Sequence, residues 1–416
     1  MQLTSNPFGD SAAQRGQSRS RWRRGAFGVT VLAGGFAGAA VLAPLAGASA
    51  HHARASHVTS KKRGSGSTNA YASVEASLSA LEKKAPKGQT LSETGSTLFF
   101  PLFTAWSNAK PLGISINPAG TGSGTGQSSA LSGTVNIGAS DAYLPASDPK
   151  TLLNIPIVVS AQQIDYNVPG LKASEHLKLN GQILNGIYTG QITNWDDKAI
   201  GAINKGITLP NLTIVPLHRA EGSGDTFLFT SYIYDQVGSS SFVAQRMGGP
   251  NTSSTNFPQV AGEQAESGNS GMLAACEQIK GCIAYIGVSY LRTALRQGLG
   301  DAALLNGYRS GGNYVQLTPT NIDNEVASFR NLASNGTESL IDSRAAKNGY
   351  PIVNFEYAIV QQNQPNSQTA DAIKALLAWA MDPRGGAQTS YLAPVNFRAL
   401  QPGAMKVAVN LLNSIS

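Results

Sequence analysis

From about Gln89 onward, apolar runs rich in β-branched and aromatic residues alternate with stretches of helical spacing. The runs are "VNIGAS", "IPIVVSAQQIDYNV", "GQILNGIYTG", "LTIVPLH", "FLFTSYIYDQV", "CIAYIGVSYL", "YPIVNFEYAIV", "ADAIKALLAWAM" and "AMKVAVNLLNSI". Such alternation predicts an α/β fold rather than an all-β or all-helical one. No internal repeat interrupts it. Upstream the pattern changes. Within residues 71–84, Val74, Leu78 and Leu81 fall on one helical face and predict a short, marginally docked helix closed by Pro86-Lys87-Gly88. Residues 51–70 are polar, basic and Gly/Ser-bearing, so 51–88 reads as a linker carrying that helix. His51, His52 and His57 belong to this solvated spacer.

The chain has 416 residues, too many for one ordinary core, and two domains or two lobes are expected. Its net charge of +7 is unevenly placed. Twelve of the 31 basic residues but three of the 24 acidic ones precede residue 91, which leaves 19 basic against 21 acidic residues in the body. A nucleic-acid-binding fold needs a basic face on its folded part, so that class is excluded.

The amino terminus explains the basic excess. "RSRWRR" followed by "GAFGVTVLAGGFAGAAVLAPLAGASA" has the charged, apolar and small-residue regions of an export signal. The apolar stretch is also long enough to stay as a membrane anchor, so residues 1–50 read as a signal peptide or an anchor. No cysteine precedes Cys276, which excludes lipid attachment at a lipobox. In an exported chain, Cys276 and Cys282 in "CEQIKGC" read as a disulfide around a tight loop. The rival reading, a metal pair, lacks further His or Cys nearby to complete four ligands.

Three loops rich in glycine and hydroxyl residues precede runs that could begin helices. They are "ETGSTLFFPLFTAW" (93–106), "NPAGTGSGTGQSS" (117–129) and "PLHRAEGSGDTFLFTSYIYD" (216–235). Backbone N–H groups and hydroxyls so placed suit an anion. No Gly-Lys-Ser/Thr follows, so none is a nucleotide P-loop. Neither Ser123 nor Ser223 has glycine at both the −2 and +2 positions, so the nucleophile-elbow pattern of serine hydrolases fails. Phe99, Phe100, Phe103 and Trp106 read as packing for the helix after the first loop. Trp195-Asp196-Asp197 reads as a helix start.

These loops, together with "NIGASDAYL", "LNGQILNGIYTGQITNWDDKAI" and "GCIAYIGVSYL" in the same order, resemble PstS, the substrate-binding family of the phosphate-specific ABC transporter, in its actinobacterial form. The resemblance spans about residues 91–416. It implies a two-lobed periplasmic-binding-protein fold, type II-like, with the ligand held between lobes. The chain would cross between lobes near "IPIVVSAQQIDY" and "YPIVNFEYAIV", giving residues 89–160 plus 353–416 as lobe one and 161–352 as lobe two. It further implies an exported monomer at the outer face of the cell membrane or in the cell wall, without metal or cofactor and without catalysis. Its partners would be inorganic phosphate and the membrane permease subunits.

Carried over residue by residue, the resemblance makes Thr97, the Leu98 N–H, Ser123, Ser223 and the Gly224 N–H donors to phosphate. Asp141 is the acceptor carboxylate and Arg219 the cation. The acid two residues after that arginine, Asp in most relatives and Glu221 here, holds it in place. Asp225 stands where many relatives have Thr, and Thr226 becomes a substitute donor. Carboxylates in an anion cradle have a physical reason. Phosphate near neutral pH keeps a proton to donate, and sulfate has none. A lost charged hydrogen bond in a dry cleft is worth about 1–3 kcal/mol, hence tenfold or more in affinity. Asp141 is therefore expected to read one ligand proton. Asp225 either reads a second or is an exposed acid favoured by the helix dipole. Two other readings of the same cradle stay open: a surface phosphate sensor or adhesin, and a phosphate-ester hydrolase, for which no convincing nucleophile and base are found.

Overall fold

The computed structural model describes residues 65–144, 149–171, 175–248, 255–258, 263–329 and 332–416. The export-signal and anchor readings, and the linker histidines, fall outside the described residues. No helix among the described residues is long and apolar enough to cross a membrane.

The alternation read from the sequence produces, among the described residues, strands β1 (Thr90–Gly95), β2 (Ser115–Asn117), β3 (Ile137–Ser140), β4 (Leu152–Tyr166), β5 (Lys178–Leu179), β6 (Val215–Arg219) and β7 (Gln264–Glu266). They continue as β8 (Cys282–Gly287), β9 (Gly300–Asp301), β10 (Ala303–Leu305), β11 (Tyr314–Val315), β12 (Val353–Gln361) and β13 (Arg398–Ala399). One sheet runs β2-β1-β3-β12-β4-β8-β6-β7, with β9 and β13 also paired to β4, and β11-β10-β5 form a separate small sheet.

Strand directions decide where a ligand can sit. β1, β2 and β3 are parallel. β12 is antiparallel to both β3 and β4, so β4 runs with β1–β3. β8 is antiparallel to β4, and β6 and β7 run with β8. The first set reaches β4 through β12, which pairs with Leu152–Ala161, whereas β8 pairs with Gln162–Tyr166. The carboxyl ends of β1–β3 and of β6–β8 therefore face each other across the middle of β4. In open α/β sheets that is where loops gather into binding sites. Every residue of β4 is buried, as expected for a strand covered on both faces.

The packing around the first loop follows the expected pattern except at Phe100, which is only half-buried. Phe99, Phe103 and Trp106 are fully buried on or beside the helix Phe100–Ala109 and meet edge-on or tilted. Gly95 ends β1 at φ 143°, and a Cβ there would lie 2.0 Å from the Ala139 carbonyl oxygen on β3. Only glycine lets β1 turn into the cradle at this approach. Asp197 caps the helix Lys198–Ile203 through the Ala199 N–H at 2.8 Å, as "NWDD" predicts.

The marginally docked helix needs correction. It runs Ser65–Glu82, and Val74, Leu78 and Leu81 are buried in the main core. It packs on the helices Ser367–Met381 and Pro402–Asn413, which supply an apolar surface about 300 residues away in the chain.

Cys276 and Cys282 form a disulfide that ties the helix Gly268–Gln278 to the start of β8. Closing so short a loop stabilises by about 2 kcal/mol. The Cys276→Ala/Cys282→Ala variant is expected to unfold at correspondingly lower denaturant. An unchanged midpoint would show that neighbouring packing fixes this loop without the covalent bond.

Candidate functional site

The loops at the facing strand ends carry the residues that the sequence singles out, with Ser96 beside them. Ser96, Thr97 and Leu98 follow β1, Ser123 opens the helix Ser123–Ser132 after β2, and Asp141 follows β3. From the other side, Arg219 ends β6, and Ser223 caps the helix Gly224–Val237 by accepting from the Asp225 N–H at 3.1 Å. The cross-cleft approach is direct, since the Gly124 N–H donates to the Gly222 carbonyl at 2.9 Å.

Asp141 is buried and held from both oxygens. The Ser96 hydroxyl donates to Oδ1, and the Ser123 hydroxyl donates to Oδ2 at 3.1 Å. Gln127 steadies this loop from the Ser123–Ser132 helix by donating to the Ala142 carbonyl at 2.9 Å. Arg219 is only 2 % exposed. Its Nη1 pairs with Asp225 Oδ2 at 2.8 Å, and its Nη2 donates to Glu221 and, at 3.0 Å, to Thr97 Oγ1. Burial works against the guanidinium charge, and the Asp225 and Glu221 carboxylates overcome it, so Arg219 stays protonated. Its buried Nε has no hydrogen-bond partner, a donor left over at the centre of the site.

Asp225 does not lie at the surface. It is fully buried, which overturns the exposed helix-start acid. Its Oδ2 also accepts from Asn269 Nδ2 at 2.6 Å, and its Oδ1 from Gln162 Nε2 at 3.1 Å. With Arg219, Asn269 and Gln162 filling three of its acceptor positions, Asp225 positions Arg219, and one acceptor position is left over. Burial pushes its carboxyl up and Asp141 adds to this. Arg219, Gln162 and Asn269 pull it back, leaving it at about 7. Glu221 grips Arg219 as expected and also accepts from the Gly268 N–H at 3.1 Å. Thr226, expected as a substitute donor, is buried with its hydroxyl 2.9 Å from the Tyr285 hydroxyl. That hydroxyl also accepts the Arg219 N–H at 2.9 Å.

Ser96, Gln162 and Asn269 were not singled out in the sequence. Asn269 donates to Thr97 Oγ1 from its backbone at 3.1 Å and from its side chain at 3.0 Å, and its Oδ1 accepts the Gly287 N–H at 2.7 Å. The signal for it is "SGNSG", a fourth small polar run before a helix. For Gln162 the signal is a polar pair inside an apolar strand.

Gly224 gives a direct test of the close approach. A Cβ there would lie 2.5 Å from Asp141 Oδ2 and 2.7 Å from Ser123 Oγ. Its φ is not positive, so alanine strains the contact and not the backbone. Overpacking of this kind costs about 1–3 kcal/mol. Gly224→Ala is expected to lose about tenfold or more in anion affinity, with a loss of stability no larger than that cost. Unchanged affinity would show that the two sides need not meet this closely.

The family model described as a PBP superfamily domain matches residues 56–384. The chain is 30% identical over 322 residues to the phosphate-binding protein PstS of Methanocaldococcus jannaschii, covering 73% of this chain and 79% of the relative. It is 29% identical over 327 residues to phosphate-binding protein PstS3 of Mycobacterium bovis, covering 76% and 82%. In fold it is similar to a high-affinity periplasmic phosphate-binding protein solved with phosphate bound, with TM-score 0.59, 20% identity, and 76% and 92% of the two chains covered. It is also similar to a phosphate-binding protein from Stenotrophomonas maltophilia, with TM-score 0.58, 17% identity, and 78% and 94% covered.

Proposed function

Because the chain belongs to the PstS family of phosphate-binding proteins within the PBP superfamily, we propose that its facing loops form the receptor site for phosphate import. It binds inorganic phosphate outside the cytoplasm and delivers it to the membrane permease of an ABC transporter. The family is one of substrate-binding proteins, not enzymes. One observation carries the assignment of the site. At the facing strand ends, a buried guanidinium with an unpartnered Nε meets the hydroxyl-bearing loops and the buried carboxylate of Asp141.

In this reading Thr97, the Leu98 N–H, Ser223 and the Gly224 N–H donate to phosphate oxygens, while Ser123, expected as a further donor, gives its one hydroxyl proton to Asp141. Arg219 neutralises charge, and Asp141 accepts the ligand's proton. Residues 89–160 plus 353–416 make one lobe and 161–352 the other, with β4 and β12 as the crossing strands. Closure of the lobes on phosphate follows from a site shared between them. Residues 1–50 direct export, and the protein acts as a monomer at the outer face of the membrane. Asp225, directly after Gly224, favours the actinobacterial branch of the family.

Calorimetric titration of the purified protein at neutral pH tests the reading. Saturable 1:1 heat with phosphate and none with sulfate is expected. Equal heats with both anions, or none with either, would overturn it.

A further inference from the structure

Behind Asp141 lies a second carboxyl that the binding scheme above does not use. Glu356 sits on β12 where the pairing with β4 shifts register between Glu356 and Tyr357. A bulge of this kind re-aims a side chain. Glu356 is fully buried. Its Oε1 accepts from the Ser160 hydroxyl and, at 3.1 Å, from Asn354 Nδ2. No donor reaches Oε2, although that oxygen is buried. The antiparallel register of β12 on β3 sets Tyr357 opposite Ser140, which brings Glu356 beside Asp141, and the Asp141 carboxyl raises that of Glu356 both by charge and by hydrogen bonding. Two carboxyl oxygens in that relation attract only if one carries a proton.

Resting on the phosphate-receptor reading, we infer that Glu356 is the proton-carrying positioning residue for Asp141, donating to it from behind and fixing it as an ionised acceptor for the ligand's proton. A carboxylate has about four acceptor positions. Ser96 and Ser123 fill two on Asp141, and the Glu356 hydroxyl fills a third. The remaining one is met only by a ligand that brings a proton, which is how phosphate differs from sulfate. An ionised Glu356 would repel Asp141 and add negative charge to an anion site.

The surroundings keep the proton on Glu356. Burial holds its carboxyl well above the usual range, and the nearby Asp141 carboxylate holds it higher still. The bonds from Ser160 and Asn354 oppose this without reversing it. Asp141 is the ionisable group that faces Glu356 from the β3 side. Ser160 on β4 and Asn354 on β12 are neutral, and the neighbouring Tyr357 is a phenol that burial keeps protonated.

The test compares wild type, Glu356→Gln and Glu356→Leu in phosphate and sulfate titrations from mildly acidic to alkaline pH. Glutamine keeps an acceptor for Ser160 and Asn354 and a donor for Asp141, but it cannot ionise. It is expected to stay within about threefold of wild type at neutral pH, whereas leucine loses about tenfold or more. As pH rises, wild type is expected to weaken relative to Glu356→Gln, because only wild type gains charge behind Asp141. Infrared spectra of the ligand-free proteins should show a protonated-carboxyl band in wild type that is missing from Glu356→Gln. The inference is overturned if that band is the same in both, if Glu356→Leu binds like wild type, or if wild type and Glu356→Gln track each other at every pH. Failure of wild type itself to bind phosphate would overturn the receptor reading, and the infrared comparison would still decide where the proton lies.

Discussion

Arg219→Ala is expected to abolish measurable phosphate binding and to lower stability by about 3–5 kcal/mol, the usual cost of removing one partner from a buried ion pair. The guanidinium holds Asp225, Glu221 and Thr97 together at one point, so its loss removes the site's cation and leaves Asp225 unpaired in the core. The deficit should depend on pH. Asp225 already stands at about 7 with Arg219 as a lowering influence, and without it the folded state holds this proton to higher pH. Above its ordinary pKa of about 3.9, the unfolded chain has released that proton. The folded variant therefore binds more protons than the unfolded one, and its stability falls as pH rises. Denaturant unfolding at acidic, neutral and alkaline pH measures this slope. Arg219→Ala/Asp225→Asn should recover part of the stability and none of the binding. If the double variant is no more stable than the single one, Asp225 is not the group left stranded. Arg219→Lys keeps a charge but loses the planar fork that meets two acceptors, so it should fall between wild type and alanine in both measurements.

The same residues show where sequence reading reaches and where it stops. The three loops, Arg219 with Glu221, and Asp141 are visible because each is a local pattern of glycine, hydroxyl and charge. The alternation of apolar runs likewise gives the fold class. Asp225 shows the first limit. Its place at a helix start suits an exposed acid, and its burial depends on Gln162 and Asn269, which are 63 and 44 residues away. Glu356 shows a second limit. An acid inside "VNFEYAIV" signals a need for a partner, but "NIGASD" lies more than 200 residues earlier. Register also cannot be read by alternation in strands buried on both faces. The register shift at Glu356 thus leaves no mark on the pattern. The helix Ser65–Glu82 fails for a related reason: its apolar face is legible, but the surface it docks on is built from the end of the chain.

Asp141→Asn isolates selectivity from fold. The amide has nearly the carboxylate's shape, but Ser96 and Ser123 donate to different oxygens of Asp141 and only one of them can still donate to the single amide oxygen, so a stability lowered by about 1 kcal/mol of lost hydrogen bonding is expected. Binding should change in two opposite directions. Phosphate loses the charged acceptor for its proton, worth about 1–3 kcal/mol or tenfold and more in affinity. Sulfate loses the repulsion of a carboxylate in a site already closed to water and meets an amide N–H, so its binding should rise to a measurable level. The ratio of the two affinities is the informative quantity. A general weakening of the cradle lowers both together, whereas removal of a proton-reading acceptor lowers one and raises the other. Titrations with both anions across pH separate these outcomes. In wild type a second acceptor-side charge appears when Glu356 ionises. In Asp141→Asn the partner that Glu356 serves has gone, and the alkaline loss of phosphate affinity assigned to that pair should shrink with it. Parallel weakening of both anions at every pH would instead make Asp141 a structural anchor for Ser96 and Ser123, and selectivity would then rest with the donors of the opposite loops.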